Sequence, residues 1–233
     1  MSYDFSGLGH FNGVAAGAYS LPLTIGCFAK FKTVHTISDI AVNFGTSAAS
    51  LNESVWLGTG GTDDNYRCFS RDTVGQTGAF FTSGAAEFDD VWFGWVGSII
   101  SATSRKVYVD VIGNTGSNGT SRVVGSAIDD IAIGERVDGS QNFPHFIAEV
   151  FFYNGTMSDA DITSYLGGLK ATELVGAANL IGYYSLDSDN DSPPNESSGD
   201  APTLALTGSA SFDADHPIIT GGEVVTLMGA GIL

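Results

Sequence analysis

The chain has 233 residues, of which 26 are Asp or Glu and 9 are Lys or Arg, and its net charge is −17. Hydrophobic residues make up 43% of the sequence and charged residues 15%, which excludes intrinsic disorder because enough apolar surface can be buried to offset the ordering entropy. Phosphate backbones and anionic lipids repel such a polyanion, so neither nucleic acid nor a membrane surface is expected as a partner. The length suits one sizeable β domain or two small ones.

The beginning of the chain carries no recognisable targeting segment. Residues 1–7 lack a basic stretch followed by an apolar one, and no apolar run approaches the roughly 20 residues of a membrane helix. We therefore expect synthesis in the cytoplasm. Cys27 and Cys68 lie in apolar strand-like segments and are expected to be buried free thiols. The Asn-X-Ser/Thr sequences at Asn52, Asn118, Asn154 and Asn195 are expected to serve in turns rather than as glycan sites.

Short runs of β-branched and aromatic residues, separated by turn residues, dominate the first two thirds of the chain. With 31 glycines, this pattern favours strands joined by tight turns over helices. The predicted strands are 23–31, 40–44, 54–58, 66–70, 77–81, 92–100, 105–111, 128–134 and 146–154. The pair 92–100 and 105–111 is predicted to form a hairpin around the polar loop 101–104. About nine strands at intervals of roughly 8 to 14 residues are typical of an antiparallel sandwich or jelly roll.

One helix is predicted after the last of these strands. Ser158 is its N-cap, and Asp161 stands at the position of a capping-box partner. Met157 and Ile162 occupy the two hydrophobic-staple positions, and a pair of glycines follows the segment. The helix is therefore expected at Asp159–Leu166, with its apolar stripe against the sandwich.

The remainder of the chain is predicted to be irregular with short strands. Its elements are a helical turn at 174–178, a strand at 180–186, a solvated acidic loop at 187–200, and short strands at 203–207 and 209–212. We divide the chain into a sandwich at 1–170, C-terminal strands at 171–216 and an apolar tail at 217–233. The C-terminal strands either complete the sandwich or cross to a neighbouring copy.

The order of several motifs is distinctive. Trp92 opens a strand, the run 104–110 contains Tyr-Val-Asp, Ile133-Gly134 follows, and a strand containing Glu149 leads into the capped helix. This order resembles the laminin-G-like branch of the concanavalin A-like lectin and glucanase superfamily. The resemblance covers roughly residues 1–168.

The resemblance implies a fold. It implies an all-β, concanavalin A-like jelly-roll sandwich of two antiparallel sheets with one short helix near residues 159–166. The sequence departs from the family pattern after Asp110, where the usual glycine is delayed to Gly113. A wider turn is therefore expected at that point.

A narrower resemblance concerns the ends of the chain. Tyr-Asp-Phe-Ser-Gly at 3–7, the strand at 180–186 and Asp215-His216-Pro217 look like laminin-G-like structural proteins of tailed-bacteriophage virions. This resemblance implies a non-enzymatic virion protein, in the first place a capsid decoration or stabilising protein. Its partners would be the major capsid protein or other virion proteins and further copies of itself. Its place would be the exterior of the particle after assembly in the host cytoplasm.

The alternative function is a carbohydrate-binding adhesion module on a tail or head appendage, with host surface polysaccharide as its partner. Exposed aromatic rings beside Asp and Asn would stack on sugar rings. Trp56, Tyr66 and Trp95 are the candidates. Packing in the core between two sheets is the competing interpretation of all three rings.

An enzyme is not expected. Glucanases of the superfamily cut with paired carboxylates on one strand face in a Glu-X-Asp-X-(X)-Glu pattern. The nearest match, Glu87 and Asp89, lacks the second Glu, and no serine-nucleophile or zinc-protease motif occurs. No catalytic residue is assigned, and the histidines at 10, 35, 145 and 216 are scattered. An unrecognised glycan hydrolase, tested at Glu87 or Glu149, is the third hypothesis.

No cofactor is required by these interpretations, but the resemblance makes Ca²⁺ an open alternative. Proteins of this family often hold one calcium ion at the sandwich rim through carboxylate and carbonyl oxygens. Asp4 and Glu149 occupy positions that could face each other there. The acidic strings at 63–65 and 187–191 are the other candidates, and the second lacks the Gly and the distal Glu of an EF-hand loop.

Assembly contacts are predicted at two apolar segments. The first is the aromatic turn with Phe143, Pro144 and Phe146. The second is the tail, whose contact residues would be Ile218, Val224, Leu227, Ile232 and Leu233. Apolar surface near a chain end would add buried area between neighbouring copies or against a shell.

Overall fold

A computed structural model of the chain describes residues 2–6, 9–32, 39–46, 53–60, 65–72, 75–82, 90–110, 115–117, 122, 128–136, 141–213 and 217. The strands in these residues are β1 (Ser2–Asp4), β2 (His10–Tyr19), β3 (Leu23–Lys30), β4 (Ile40–Gly45), β5 (Ser54–Gly60), β6 (Asn65–Arg71), β7 (Gln76–Thr82), β8 (Trp92–Ser101), β9 (Ser104–Val109), β10 (Thr115–Ser117), β11 (Ile128–Ile133), β12 (Phe146–Asn154), β13 (Leu180–Tyr184), β14 (Ala205–Thr207) and β15 (Ser211–Asp213). The helix α1 spans Asp159–Leu166, and short 3₁₀ turns span Ala171–Glu173 and Ala177–Asn179. Among the described residues, no helix has the length and apolar character to cross a membrane.

The strands form two antiparallel sheets. Sheet I has eight strands in the order β10-β9-β8-β3-β12-β1-β15, with β13 also paired to β12. Sheet II has seven strands in the order β14-β2-β11-β4-β5-β6-β7. The predicted jelly-roll sandwich of two antiparallel sheets with one short helix is therefore confirmed.

The main core lies between the two sheets. Alternate residues point into it, such as Val55 and Leu57 on β5 and Trp95 on β8. Both cysteines are buried there as free thiols, as predicted, and burial raises the pKa of Cys68 to about 12. The sheets approach closely at Gly97, where an added Cβ would lie 2.4 Å from Cys68 Sγ. A larger residue at this position would force the two sheets apart.

Helix α1 has the predicted bounds and caps. The Ser158 hydroxyl accepts a hydrogen bond from the Asp161 backbone N–H over 3.1 Å, and Gly167 is the C-cap. Met157 and Ile162 both join a second hydrophobic cluster on the outer side of sheet I. Local capping and the staple thus fix where the helix begins, while packing on the sheet stabilises it.

The structure differs from the sequence prediction at several places. Three strands, β1, β2 and β10, were not predicted, and β2 is the longest of them. The hairpin of β8 and β9 is tighter than predicted, because Ser101 pairs with Ser104 and leaves a two-residue loop. After β9, Asp110 itself adopts a left-handed backbone with φ of 55°, the conformation that a glycine usually supplies.

The C-terminal strands pair with strands of both sheets. Strand β13 pairs with β12, β14 with β2, and β15 with β1. The loop between β13 and β14 carries exposed acidic residues, yet it docks on β13 through Asn195. The Asn195 amide is engaged in hydrogen bonds with this segment, which agrees with the turn role predicted for its Asn-X-Ser sequence.

Candidate functional site

The outer faces of the two sheets differ in what covers them. On sheet I, α1 and the segment after it bury the outward side chains, including Phe28, Phe151 and Tyr183. Gly94 shows how close the helix lies, because a Cβ there would come within 2.5 Å of Leu166 Cδ2. No element of the described chain covers the outer face of sheet II in this way. This surface, which we call the open face, is the candidate functional site.

The strand registers define a row of side chains across the open face. From β2 to β7 the row contains Asn12, Ala132, Asn43, Trp56, Phe69 and Gly78. A parallel row contains Val14, Asp130, Gly45, Ser54, Arg71 and Gln76. The middle of these rows is buried, with Ala132, Asn43 and Trp56 at most 4% exposed, so the accessible parts of this face lie at β2 and β11 and at β6 and β7.

A cavity of about 250 Å³ opens on this face at β2 and β11. Its lining contains His10, Asn12, Val14, Asp130, Ala132 and Glu135. His10 Nε2 lies 2.9 Å from Glu135 Oε1, and Asn12 Nδ2 lies 3.2 Å from the same ring nitrogen. The other Glu135 oxygen accepts a hydrogen bond of 3.3 Å from Asn142 Nδ2. These contacts hold several donors and acceptors in fixed orientations around one concavity.

Asp130 differs electrostatically from the rest of the lining. Partial burial, with the neighbouring charge of Asp129 as a second cause, raises the pKa of Asp130 to about 6. A carboxyl group that is easily protonated can both donate and accept hydrogen bonds near neutral pH. The cavity can therefore meet a hydroxyl group in either role.

The raised pKa predicts a pH-dependent effect of Asp130→Asn on stability. Because the folded pKa of about 6 exceeds the unfolded one, ionisation of Asp130 lowers the free energy of unfolding progressively as pH rises between these two values, and the full loss persists at higher pH. Below the unfolded pKa the carboxyl is protonated in both states and has no such effect. We expect Asp130→Asn to raise the Tm by roughly 2–4 °C at pH 8, equivalent to about 1 kcal/mol after allowance for solvent screening. The gain should vanish near pH 4. Differential scanning calorimetry at both pH values measures it, with exposed Asp189→Asn as the control. An equal change in Tm at both pH values would contradict the assignment.

Two of the three aromatic residues predicted to bind sugar are core residues. Trp95 and Tyr66 are buried between the sheets, with ring centroids 5.6 Å apart. Both side chains point into the core, Trp95 from β8 and Tyr66 from β6, so neither ring has a face accessible to a ligand. The sugar-stacking prediction is wrong for both, and the competing core interpretation holds.

Trp56 lies on the open face but is also covered. Its ring stacks on Phe69, with centroids 5.1 Å apart, and the Arg136 guanidinium lies 5.4 Å from its centroid on the open face. Only 4% of the residue is exposed. Trp56 therefore forms part of the floor of the open face rather than a stacking ring available to a ligand.

The predicted calcium pair is not brought together. Asp4 forms an ion pair with Lys32 and lies opposite Phe146 in the ladder between β1 and β12. Glu149 stands three residues further along β12, where it is 1% exposed and its carboxylate accepts a hydrogen bond from the Tyr183 hydroxyl. In the described ranges, no group of three or more metal-binding side chains occurs. The acidic string 63–65 lies outside the described side chains.

Glu149 has a structural position that the sequence did not reveal. It sits at a bulge in β12 with φ of 54°, and its backbone carbonyl accepts from the Tyr165 hydroxyl of α1. The bulge lets Ile147 and Val150 both face the core. Of the two carboxylates named for a hydrolase, Glu149 is thus enclosed in the protein, and Glu87 lies outside the described residues.

The predicted assembly residues fall into two groups. Phe143 is fully buried and packs on Phe31, with centroids 5.5 Å apart, so it is a core residue and its surface assignment is wrong. Pro144 and Phe146 are half-buried, and the Lys32 ammonium lies 4.8 Å from the Phe146 centroid. The tail residues Ile218, Val224, Leu227, Ile232 and Leu233 lie outside the described residues.

Sequence reasoning missed the residues that line the cavity. His10 was noted only as one of four scattered histidines, and Asn12, Asp130 and Glu135 were not singled out. One available signal was the placement of the polar His10 and Asn12 on either side of the apolar Phe11, an alternation typical of a strand with one face outward.

The comparisons with known proteins concern the fold. No protein-family model matches the sequence, and no curated protein matches it either. A candidate carbohydrate binding protein from Bacteroides ovatus has a TM-score of 0.63 at 12% identity, covering 92% of this chain and 60% of that protein. A native heptameric SAP-like pentraxin from Limulus polyphemus has a TM-score of 0.57 at 9% identity, covering 90% of this chain and 93% of that one.

A third structure, domains LG4–5 of the mouse laminin alpha1 chain, has a TM-score of 0.49 at 15% identity and covers 65% of this chain and 40% of that one. The likeness of the Bacteroides and Limulus structures over nine tenths of the chain shows a shared fold. The protein therefore has the two-sheet jelly-roll fold that its sequence motifs indicated, although it spans only 60% of the Bacteroides protein.

Proposed function

We propose that this protein is a carbohydrate-binding domain that holds a saccharide on the open face of sheet II. The observation that carries the proposal is the contrast between the sheets, one covered by α1 and the other open with a cavity of about 250 Å³ in its surface. Binding sites are commonly concave, with a few oriented polar groups on a mostly apolar lining. The cavity is concave and carries oriented polar groups, and its lining is as polar as it is apolar, which suits a ligand rich in hydroxyl groups.

The lining suits sugar hydroxyl groups. His10 Nε2 can donate to Glu135 or accept from Asn12 but not both at once, so one of these two side chains is left to bond a sugar hydroxyl, and the half-buried Asp130 adds a group that titrates near neutral pH. Val14, which is 56% exposed, supplies apolar surface against which the carbon face of a sugar ring can lie. The volume is below the usual range for drug-sized ligands, so it fits one unit of a longer chain.

The fold likeness supports this proposal in a limited way. The Bacteroides ovatus protein of similar fold is described as a candidate carbohydrate binding protein. Folds of this kind host many functions, so the argument rests on the cavity and its side chains rather than on the likeness. The virion role, the capsid partners, self-assembly and the particle exterior remain predictions, since the tail on which they depend lies outside the described residues.

The experiment is a glycan array followed by isothermal titration calorimetry with the saccharides that bind. We expect Asn12→Ala to weaken the bound saccharide about tenfold, because a ligand hydrogen bond is lost. Asn154→Ala, an exposed asparagine on sheet I, is the matched control and should leave the Kd unchanged. An array without binding, or a Kd that Asn12→Ala does not change, would overturn the proposal.

A further inference from the structure

Strand β6 presents an alternation of cationic and aromatic side chains on the open face. Tyr66, Cys68 and Ser70 point into the sandwich, so Arg67, Phe69 and Arg71 point outward. The two arginines are four residues apart on an extended strand, which separates their Cα atoms by about 13 Å. The Arg67 guanidinium lies 5.6 Å from the Phe69 centroid.

The neighbouring strand β7 extends this surface. Phe80 lies opposite Arg67 and Gln76 opposite Arg71 in the ladder between β6 and β7. Phe80 is a large apolar side chain that is 54% exposed, and Gln76 is also exposed. We call Arg67, Phe69, Arg71, Gln76 and Phe80 the β6–β7 platform. Gly78 lies beside Phe69 at the centre of the platform and has no side chain, and a Cβ at this position would lie 2.8 Å from the Phe69 ring.

The arginines of the platform are unusual in their surroundings. The chain has 26 acidic residues and 9 basic ones, so carboxylate partners are abundant in the sequence. Even so, no described carboxylate pairs with Arg67 or Arg71. Arg67 Nη2 donates a long bond of 3.4 Å to the Gly60 carbonyl, and among the described residues no acceptor contacts the buried Nε of either arginine. Donors of a guanidinium held without an acceptor favour an anionic ligand.

We propose that the β6–β7 platform binds the anionic groups of an acidic saccharide, a refinement that rests on the proposed carbohydrate function. Carboxylate and sulfate groups both accept paired hydrogen bonds from the planar guanidinium fork. Phe80 offers an exposed ring beside Arg67 for the apolar face of a sugar, and Gln76 offers an amide beside Arg71. The platform would thus bind the anionic groups of the saccharide, and the cavity at β2 and β11 would bind its hydroxyl groups.

The test is calorimetric titration of the full chain with three probes of similar length: an oligogalacturonate, a sulfated dextran oligosaccharide and a neutral maltooligosaccharide. We expect at least one anionic probe to bind at least tenfold more tightly than the neutral one at about 0.15 M salt, where screening over about 8 Å limits the repulsion by the net charge of −17. High salt should reduce this preference through screening. Binding of the carboxylate or of the sulfate probe identifies which anion is recognised, and both results support the proposal.

Three variants locate the effect. Arg67→Gln and Arg71→Gln should each weaken binding of the anionic probe about tenfold. Lys170→Gln, which removes the same charge near the covered side of sheet I, is the control and should weaken that binding less than twofold. Arg71→Lys retains the charge without the fork and should give an intermediate loss, which guards against a folding defect in the glutamine variants. Far-UV circular dichroism checks the fold of each.

The failure of this inference can be told apart from that of the proposed function. Neutral saccharides that bind as tightly as anionic ones, or anionic binding that is unchanged in both arginine variants, would overturn the charge preference. Sensitivity to Asn12→Ala would then still support carbohydrate binding at the open face. The absence of binding by every saccharide would overturn both proposals.

Discussion

Replacing His145 with leucine is expected to lower the free energy of unfolding by about 1–3 kcal/mol, because it removes the acceptor of a backbone N–H and the side chain that lies against the buried Asp39 carboxyl. His145 Nε2 lies 3.5 Å from Asp39 Oδ2, and the two side chains are 4% and 1% exposed. In the described chain, His145 is the only side chain within ion-pairing distance of Asp39. The variant also removes the Nδ1 acceptor of the Lys32 backbone N–H, 3.2 Å away. Urea denaturation measures the loss.

A double-mutant cycle separates this pairing from the loss of packing. The His145 ring also packs edge-on against Phe31, with centroids 4.8 Å apart, so part of the cost arises from the cavity left by the ring. Asp39→Ala combined with His145→Leu should cost less than the sum of the two single variants, since neither partner is then left alone. Additive losses, or a cost of His145→Leu below about 1 kcal/mol, would show that the pair is not coupled.

Asn195→Ala is expected to cost about 3 kcal/mol, since one side chain holds a whole segment against β13. Its Oδ1 accepts hydrogen bonds of 3.0 Å from the backbone N–H groups of Tyr183 and Ser197. Its Nδ2 donates to the carbonyls of Gly199 and Ala201 over 3.0 and 3.1 Å. Removal of the amide leaves these backbone groups to find water or other partners. Chemical denaturation monitored by tyrosine and tryptophan fluorescence measures the effect.

The control for this prediction is Asn154→Ala, an exposed asparagine of another Asn-X-Thr sequence, which should change stability by less than about 0.5 kcal/mol. Gly199→Ala tests the same segment independently. A Cβ at Gly199 would lie 2.1 Å from the Ile181 carbonyl oxygen, so the segment would have to move off β13. Wild-type stability in both Asn195→Ala and Gly199→Ala would contradict the docking role.

Elements with strong local signals could be predicted from the sequence. Helix α1 is defined by a cap at Ser158 and a staple between Met157 and Ile162, which are contacts within one turn of the chain. Apolar strands such as β3 and β12 stand out because both of their faces are buried. Strand β2 was missed because glycine and alanine fill much of it, and only Phe11 and Ala15 in it are buried.

The site could not be predicted because it depends on which way each strand faces. In β5, Val55-Trp56-Leu57 offers three consecutive apolar residues, so either set of alternate residues could point inward. A shift of one residue exchanges the two faces, and distant strands decide the outcome. Trp56 accordingly faces out, whereas the similar residue Trp95 faces in. Cavity residues from β2 and β11 meet only through pairing across more than 100 positions of sequence.

The predicted calcium pair, Asp4 and Glu149, is kept apart for a related reason. Glu149 stands in a strand whose regular alternation is broken at the residue itself, and the bulge turns its carboxylate toward Tyr183 beneath α1. No local pattern announces such a bulge, because it is set by the fit of β12 to β3 and to the helix. Asp4 lies at a strand end and forms an ion pair with Lys32.

The pairing of β1 with β15 has a topological consequence. Ser2 lies opposite Asp213 in that ladder, so the first and last described strands are neighbours at one edge of sheet I. A short linker could join these two positions while the exposed two-residue loop at 102–103 is cut, and every strand would keep its neighbours. The order of strands along the chain is therefore separable from their order in space. A circularly permuted chain could form the same sandwich and present the same open face.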